Sequence, residues 1–131
     1  MLCSVVSHVY SQNAPGASLL QGGGAPGAAP YQLVDEYLPA GMLDKFSFFD
    51  MIDPSNGHVQ YVNETVATSN GYAKLGEQGG LILKPETNVA FPEGGPGISS
   101  VRIVSDNTYN HGLFILDLNH IPTGCGTWPA Y

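Results

Sequence analysis

The stretch SSVRIVSDNTYNHGLFILDLNHIPTGCG (99–126) decides the fold. It holds two apolar runs, each closed by turn residues: Asp106 and Asn107 after the first, Pro122 to Gly126 after the second. Strand alternation across Ser99–Ser105 puts Val101 and Ile103 on one face, with Arg102 and Val104 on the other. The second run, LFILDL (113–118), is apolar on both faces until Asp117, which predicts a central strand covered on both sides. The same punctuation continues outward at Pro39–Gly41, Asp53–Gly57, Asn70–Gly71, Gly79–Gly80 and Pro92–Gly97. Short apolar segments between closely spaced turn signals read as an all-β sandwich or barrel. Strands are expected at His58–Asn63, Tyr72–Leu75, Leu81–Lys84, Ser99–Ser105 and Gly112–Asn119, pairing antiparallel with little helix. Phe46, Phe48 and Phe49 supply bulk for a core.

Composition agrees with many strands joined by turns. The chain has 131 residues, 43% of them apolar and only 11% charged. Its 17 glycines and 10 prolines weigh against a helical bundle or a charged disordered chain. The formal net charge is −7 with four Lys and Arg, too few cations to neutralise a row of phosphates, so no nucleic-acid partner is expected. No apolar run is long enough for a transmembrane helix, so no membrane insertion is expected.

Residues 1–30 read as a flexible Gly/Ala/Pro-rich tail, and residues 31–131 as the folded domain. The Gly-Ala-Pro stretch cannot bury enough surface to offset the entropy of ordering it. A standard secretory leader is not expected, because no Lys or Arg precedes the first apolar residues and Ser4, Ser7 and His8 interrupt them.

Few motifs carry chemistry. GGGAPG (22–27) matches a dinucleotide fingerprint by letter, but Pro26 sits inside it and no strand-to-helix context surrounds it. His8, His58, His111 and His120 form no helical ligand pair, so no metal site and no cofactor are expected. Cys125 lies among glycines with no evident base, which leaves it a disulfide partner or a buried thiol. Asp35 and Glu36 are neighbours and point to opposite faces of a strand. Asp50 and Asp53 precede a Pro-Ser-Asn-Gly turn, where an aspartate usually closes the turn. No acidic pair reads as a catalytic dyad. Asn63-Glu64-Thr65 is an N-glycosylation acceptor by letter, which matters only in a secretory compartment.

Two blocks together carry a family resemblance: YQLVDEYLPAGMLDKFSFFDMIDPSNGHVQYVNETVA (31–67) and SVRIVSDNTYNHGLFILDLNHIPTGCGTWPAY (100–131). They resemble the N-terminal part of fungal glycoside hydrolase family 16, the laminarinase-like endo-1,3(4)-β-glucanases. The shared pattern is Tyr-x-Leu-Val-Asp, Phe-x-Phe-Phe, Asp-Pro-x-x-Gly, Ser-Val-Arg-Ile, His-Gly-Leu-Phe-Ile and Gly-Cys-Gly-Thr-Trp-Pro-Ala.

The resemblance implies an all-β, concanavalin-like jelly-roll sandwich, present here as its N-terminal part, whose concave sheet holds a β-1,3/1,4-glucan chain. It implies an extracellular protein and retaining hydrolysis by two glutamates in a Glu-x-Asp-x-x-Glu strand. A bulge there returns the sixth position to the face of the first, so the carboxyl groups can lie roughly 5 Å apart. That pattern is absent from these 131 residues, so no catalytic residue is assigned and the chain by itself is expected to be inactive. The alternative is a non-catalytic β-glucan-binding sandwich module.

Three positions match the family blocks as candidate substrate contacts. Trp128 offers an indole face for stacking on a sugar ring, against the alternative of a buried sandwich tryptophan. Arg102 lies opposite Val101 and Ile103 and can donate to hydroxyls, against the alternative of an ion pair with an acidic turn residue. His111 is the third.

Overall fold

The computed structural model describes residues 4–11, 31–90 and 94–131. The described residues form nine strands and one short helix. The strands are β1 (Ser4–Ser11), β2 (Gln32–Tyr37), β3 (Phe46–Phe48), β4 (Val59–Tyr61), β5 (Ala73–Leu75), β6 (Leu81–Leu83), β7 (Ile98–Ser100), β8 (Ile103–Ser105) and β9 (Leu113–Leu118). The helix is α1 (Glu64–Ser69), and a 3-10 turn spans Leu43–Lys45.

Strand β1 organises the largest sheet. It pairs antiparallel with β9 from Val5 to Tyr10. It also pairs with β2 from Ser7 to Ser11 and with β6 at Ser4 and Val5. A strand has two edges, so β2 and β6 share one end to end and β9 takes the other; β5 continues outward from β6. The expectation of a tail over 1–30 is therefore corrected for Ser4–Ser11. SVVSHVYS is rich in Val and Tyr, residues that favour strands, and interruption by Ser and His disqualifies a leader without disqualifying a strand. Residues 1–3 and 12–30 of the expected tail lie outside the described residues.

Two smaller pairs flank this sheet. β3 pairs antiparallel with β8, and β4 pairs with β7 in parallel. The parallel pair departs from the antiparallel expectation. Between β4 and β7 the chain passes through α1, β5 and β6, a connection long enough to return it in the same direction. The single strand expected over Ser99–Ser105 is divided for a related reason. β7 ladders with β4 and β8 with β3, and the chain changes partners at Val101 and Arg102.

Apolar side chains gather in two clusters. Val9, Tyr37, Met42 and Leu81 are buried in the first, with Phe46, Ile103, Leu116 and Leu118 packed against them. Val62, Ala67, Tyr72 and Ala73 are buried in the second, with Phe48 and Val101 against them. Leu43 and Leu83 touch both clusters and tie them together. Strand β9 is not the doubly covered central strand that LFILDL predicts. Among the described residues it pairs with β1 alone, and Leu113, Phe114 and Ile115 remain 41–43% exposed. Its apolar pattern exceeds what the described residues can bury.

Helix α1 escaped the sequence reading because it has six residues, too few for a clear 3.6-residue period. Its start is nevertheless well specified. Asn63 holds extended backbone angles and its Oδ1 accepts from the Val66 amide at 3.0 Å, the usual N-cap bond.

Candidate functional site

One polar group among the described residues includes Arg102. The residue precedes β8, and its carbonyl accepts from the Phe49 amide at 2.9 Å, extending the β3–β8 ladder by one step. Its guanidinium lies 4.6 Å from the Phe49 ring centroid and 5.7 Å from that of Tyr61. The two rings meet edge to face at 5.6 Å, a favourable quadrupolar arrangement. Nη1 reaches Asp53 Oδ1 at 3.6 Å.

Asp53 is the anchor of that group and is buried. It closes the Pro-Ser-Asn-Gly turn as its position predicts. Its carbonyl accepts from the Asn56 amide at 3.0 Å, and its Oδ2 accepts from the Gly57 amide at 2.7 Å and from the Ser55 hydroxyl. Asn56 adopts φ 57°, a left-handed conformation that asparagine tolerates. Gly57 leaves room for the carboxylate, since a Cβ there would stand 2.7 Å from Asp53 Oδ2. The Ser55 hydroxyl most of all, then the Gly57 amide, and more weakly the Arg102 charge, hold the Asp53 carboxyl below its ordinary range.

Arg102 thus makes the ion pair with an acidic turn residue that was the alternative to a sugar contact, while 40% of its side chain stays open to solvent. Trp128 follows a turn in which the Thr127 hydroxyl donates to the Gly124 carbonyl at 2.7 Å. It is 92% exposed among the described residues. His111 is exposed at the approach to β9. No hydrogen bond, ion pair or ring contact joins Trp128, Arg102 and His111 among the described residues. Cys125 is a free, exposed thiol, which corrects the buried-thiol reading. The His58 ring is tied to the loop before β7, its Nε2 lying 2.7 Å from the Gly95 carbonyl oxygen.

A second polar group was missed by the sequence reading. Asp35, Tyr37, Asp44, Lys45, Asp106 and Asn107 line a cavity of about 280 Å³. The Tyr109 hydroxyl donates to Asp35 Oδ2 and is bonded to the Tyr37 hydroxyl. Asn107 Nδ2 donates to the same Asp35 oxygen at 3.2 Å. Burial, then the bond to Asp35, push the Tyr109 phenol above its ordinary range. These partners lie 72 and 74 residues apart in the chain, so no local motif could announce them. Among the described residues no group of three or more His, Cys, Asp or Glu is placed to hold a metal ion. No helix among them is long and apolar enough to cross a membrane.

These strands define an all-β sandwich architecture. Residues 46–131 match the family model described as the XgeA-like, catalytic GH16 domain. The chain belongs to glycoside hydrolase family 16.

The endo-1,3(4)-beta-glucanase xgeA of Emericella nidulans is 41% identical over 108 residues, covering 82% of this chain and 17% of that protein. A probable endo-1,3(4)-beta-glucanase of Neosartorya fischeri is 37% identical over 102 residues, 77% of this chain and 16% of that one. The endo-1,3(4)-beta-glucanase of Arthroderma benhamiae is 40% identical over 106 residues, 80% of this chain and 22% of its length. Among solved structures, that of an elongating GH family 16 beta-1,3-glucosyltransferase matches with a TM-score of 0.59 and 35% identity, over 63% of this chain and 28% of that one. The chain therefore spans between a seventh and a quarter of the curated relatives it matches.

Proposed function

We propose that these residues are the N-terminal part of an extracellular endo-1,3(4)-β-glucanase domain, and that the 131-residue chain alone engages β-1,3/1,4-glucan without cleaving it. The match of residues 46–131 to a catalytic family 16 domain carries this reading. The glucanase and glucosyltransferase relatives support a glucan as the substrate class. Retaining hydrolysis needs a nucleophile and an acid/base carboxyl, and the family's Glu-x-Asp-x-x-Glu is not among these residues. In this reading Trp128 stacks on a glucose ring, while the open part of Arg102 and His111 donate to hydroxyls.

A second reading, a non-catalytic glucan-binding module, is favoured by the nearly complete exposure of Trp128. Both readings expect no new reducing ends when purified chain is incubated with laminarin or lichenan. Reducing ends that disappear when an acidic residue of this chain is substituted would overturn both. Extension of the reading frame separates them: a Glu-x-Asp-x-x-Glu downstream of Tyr131 supports the enzyme, and a genuine stop there supports the module.

A further inference from the structure

We propose that Asn63 is an N-glycan acceptor, carrying one oligosaccharide on its Nδ2 at the start of α1. Asn63-Glu64-Thr65 is the only Asn-x-Ser/Thr triplet in the chain, and the residue between is not proline, so it meets the acceptor rule. All three side chains are exposed, while Val62 before them and Ala67 after them are buried. The triplet therefore sits on the outer side of a segment held down at both ends.

Orientation adds what the letters do not. The Asn63 amide caps α1 by accepting from the Val66 N–H at 3.0 Å. Only the amide oxygen can face a donor, so Nδ2 is turned away from the helix, and it makes no hydrogen bond among the described residues. The modification joins Nδ2 to C1 of the reducing-end sugar of a lipid-pyrophosphate-linked oligosaccharide. The N–C1 bond forms, the bond between C1 and the phosphate oxygen breaks, the lipid pyrophosphate leaves, and one amide proton passes to a base. The product keeps its carbonyl oxygen, so the cap survives. A bulky, hydrated group is accommodated because it extends from the exposed side of the turn.

The inference depends on the extracellular reading only for whether the native chain meets the transfer machinery. The test therefore supplies that step. The full chain is expressed in yeast behind a secretion leader, and cell extract and medium are assayed together, so retention inside the cell does not hide the product. Wild-type chain is expected to migrate as a larger species that collapses on peptide N-glycosidase treatment, with Asn63 then read as aspartate by peptide mass spectrometry. Thr65→Ala is expected to abolish the modification and leave the melting temperature of the deglycosylated chain unchanged, since the cap is untouched. Thr65→Ser is expected to retain the glycan. Asn63→Gln is expected to lose the glycan and lower the melting temperature. Wild-type chain delivered through the leader but unmodified at Asn63 would overturn the proposal, as would a glycan that persists in Thr65→Ala. Whether the native protein is found outside the cell is a separate observation, bearing on the extracellular reading alone.

Discussion

Gly97→Ala is expected to break the parallel pairing of β4 with β7. A Cβ at position 97 would stand 2.4 Å from the Val59 nitrogen, 2.5 Å from the Val59 Cα and 2.6 Å from the His58 carbonyl carbon. All three are backbone atoms, so no side chain can rotate away to make room. Overpacking a filled site costs about 1–3 kcal/mol, and a clash against backbone belongs at the upper end of that range. That is a large part of a domain stability of about 5–15 kcal/mol. The damage would spread along β4, whose Tyr61 faces the Arg102 guanidinium and whose following residue, Val62, is buried in the second cluster. Urea denaturation should show a markedly lower midpoint, and hydrogen exchange should accelerate at the Val62 amide, which donates to the Ser100 carbonyl at 3.2 Å. An unchanged midpoint would contradict the close approach of these two strands.

The 131-residue polypeptide is also expected to associate with itself. Strand β9 offers six residues whose second edge is unpaired among the described residues. Leu113, Phe114 and Ile115 each leave about two-fifths of their surface open, and covering the remainder would contribute about 1 kcal/mol apiece. The strand contains no lysine or proline, and Asp117 is its sole charge, so it lacks the usual protection against edge-to-edge pairing. Light scattering after gel filtration should give a mass above that of one chain. Ile115→Lys should lower it, by placing a charge on the exposed strand. A monomer that melts cooperatively above about 50 °C, within the usual range of mesophile domains, would contradict this expectation.

Strands β4, β5, β6 and β9 were legible because each is a short segment with apolar residues at both ends, closed within two residues by Gly, Pro or Asn. The all-β class followed from the spacing of those closures. Strand β1 was not legible, because its register depends on β9, more than a hundred residues away, and nothing local marks it as the centre of a sheet. The split of Ser99–Ser105 was hidden for the same reason: Val101 and Arg102 alternate like strand residues, and only the change of partner from β4 to β3 interrupts the ladder.

The candidate site divides along the same line. The turn-closing role of Asp53 was readable from Asp-Pro-Ser-Asn-Gly, and Arg102 was singled out by its family block. That these two residues meet depends on the docking of β8 against β3, which brings the turn after Phe49 beneath the guanidinium. The hydrogen-bonded group of Asp35, Tyr109 and Tyr37 is likewise a product of tertiary structure, and each of its members looks ordinary in isolation. Trp128 is the reverse case. Its family block makes it a candidate substrate contact, and its exposure leaves the indole face available.

Trp128 also provides the most direct test of the glucan reading, because it is the one tryptophan in the chain. Its fluorescence reports that position without a label. The measurement is indole emission, with acrylamide quenching, during titration of the chain with laminarin and, separately, with an α-linked glucan of similar size. The expected result is a blue shift and protection from quenching with laminarin, and no change with the α-glucan. An emission spectrum that ignores laminarin, or that responds equally to both polymers, would contradict the assignment of a β-glucan-binding surface to these residues.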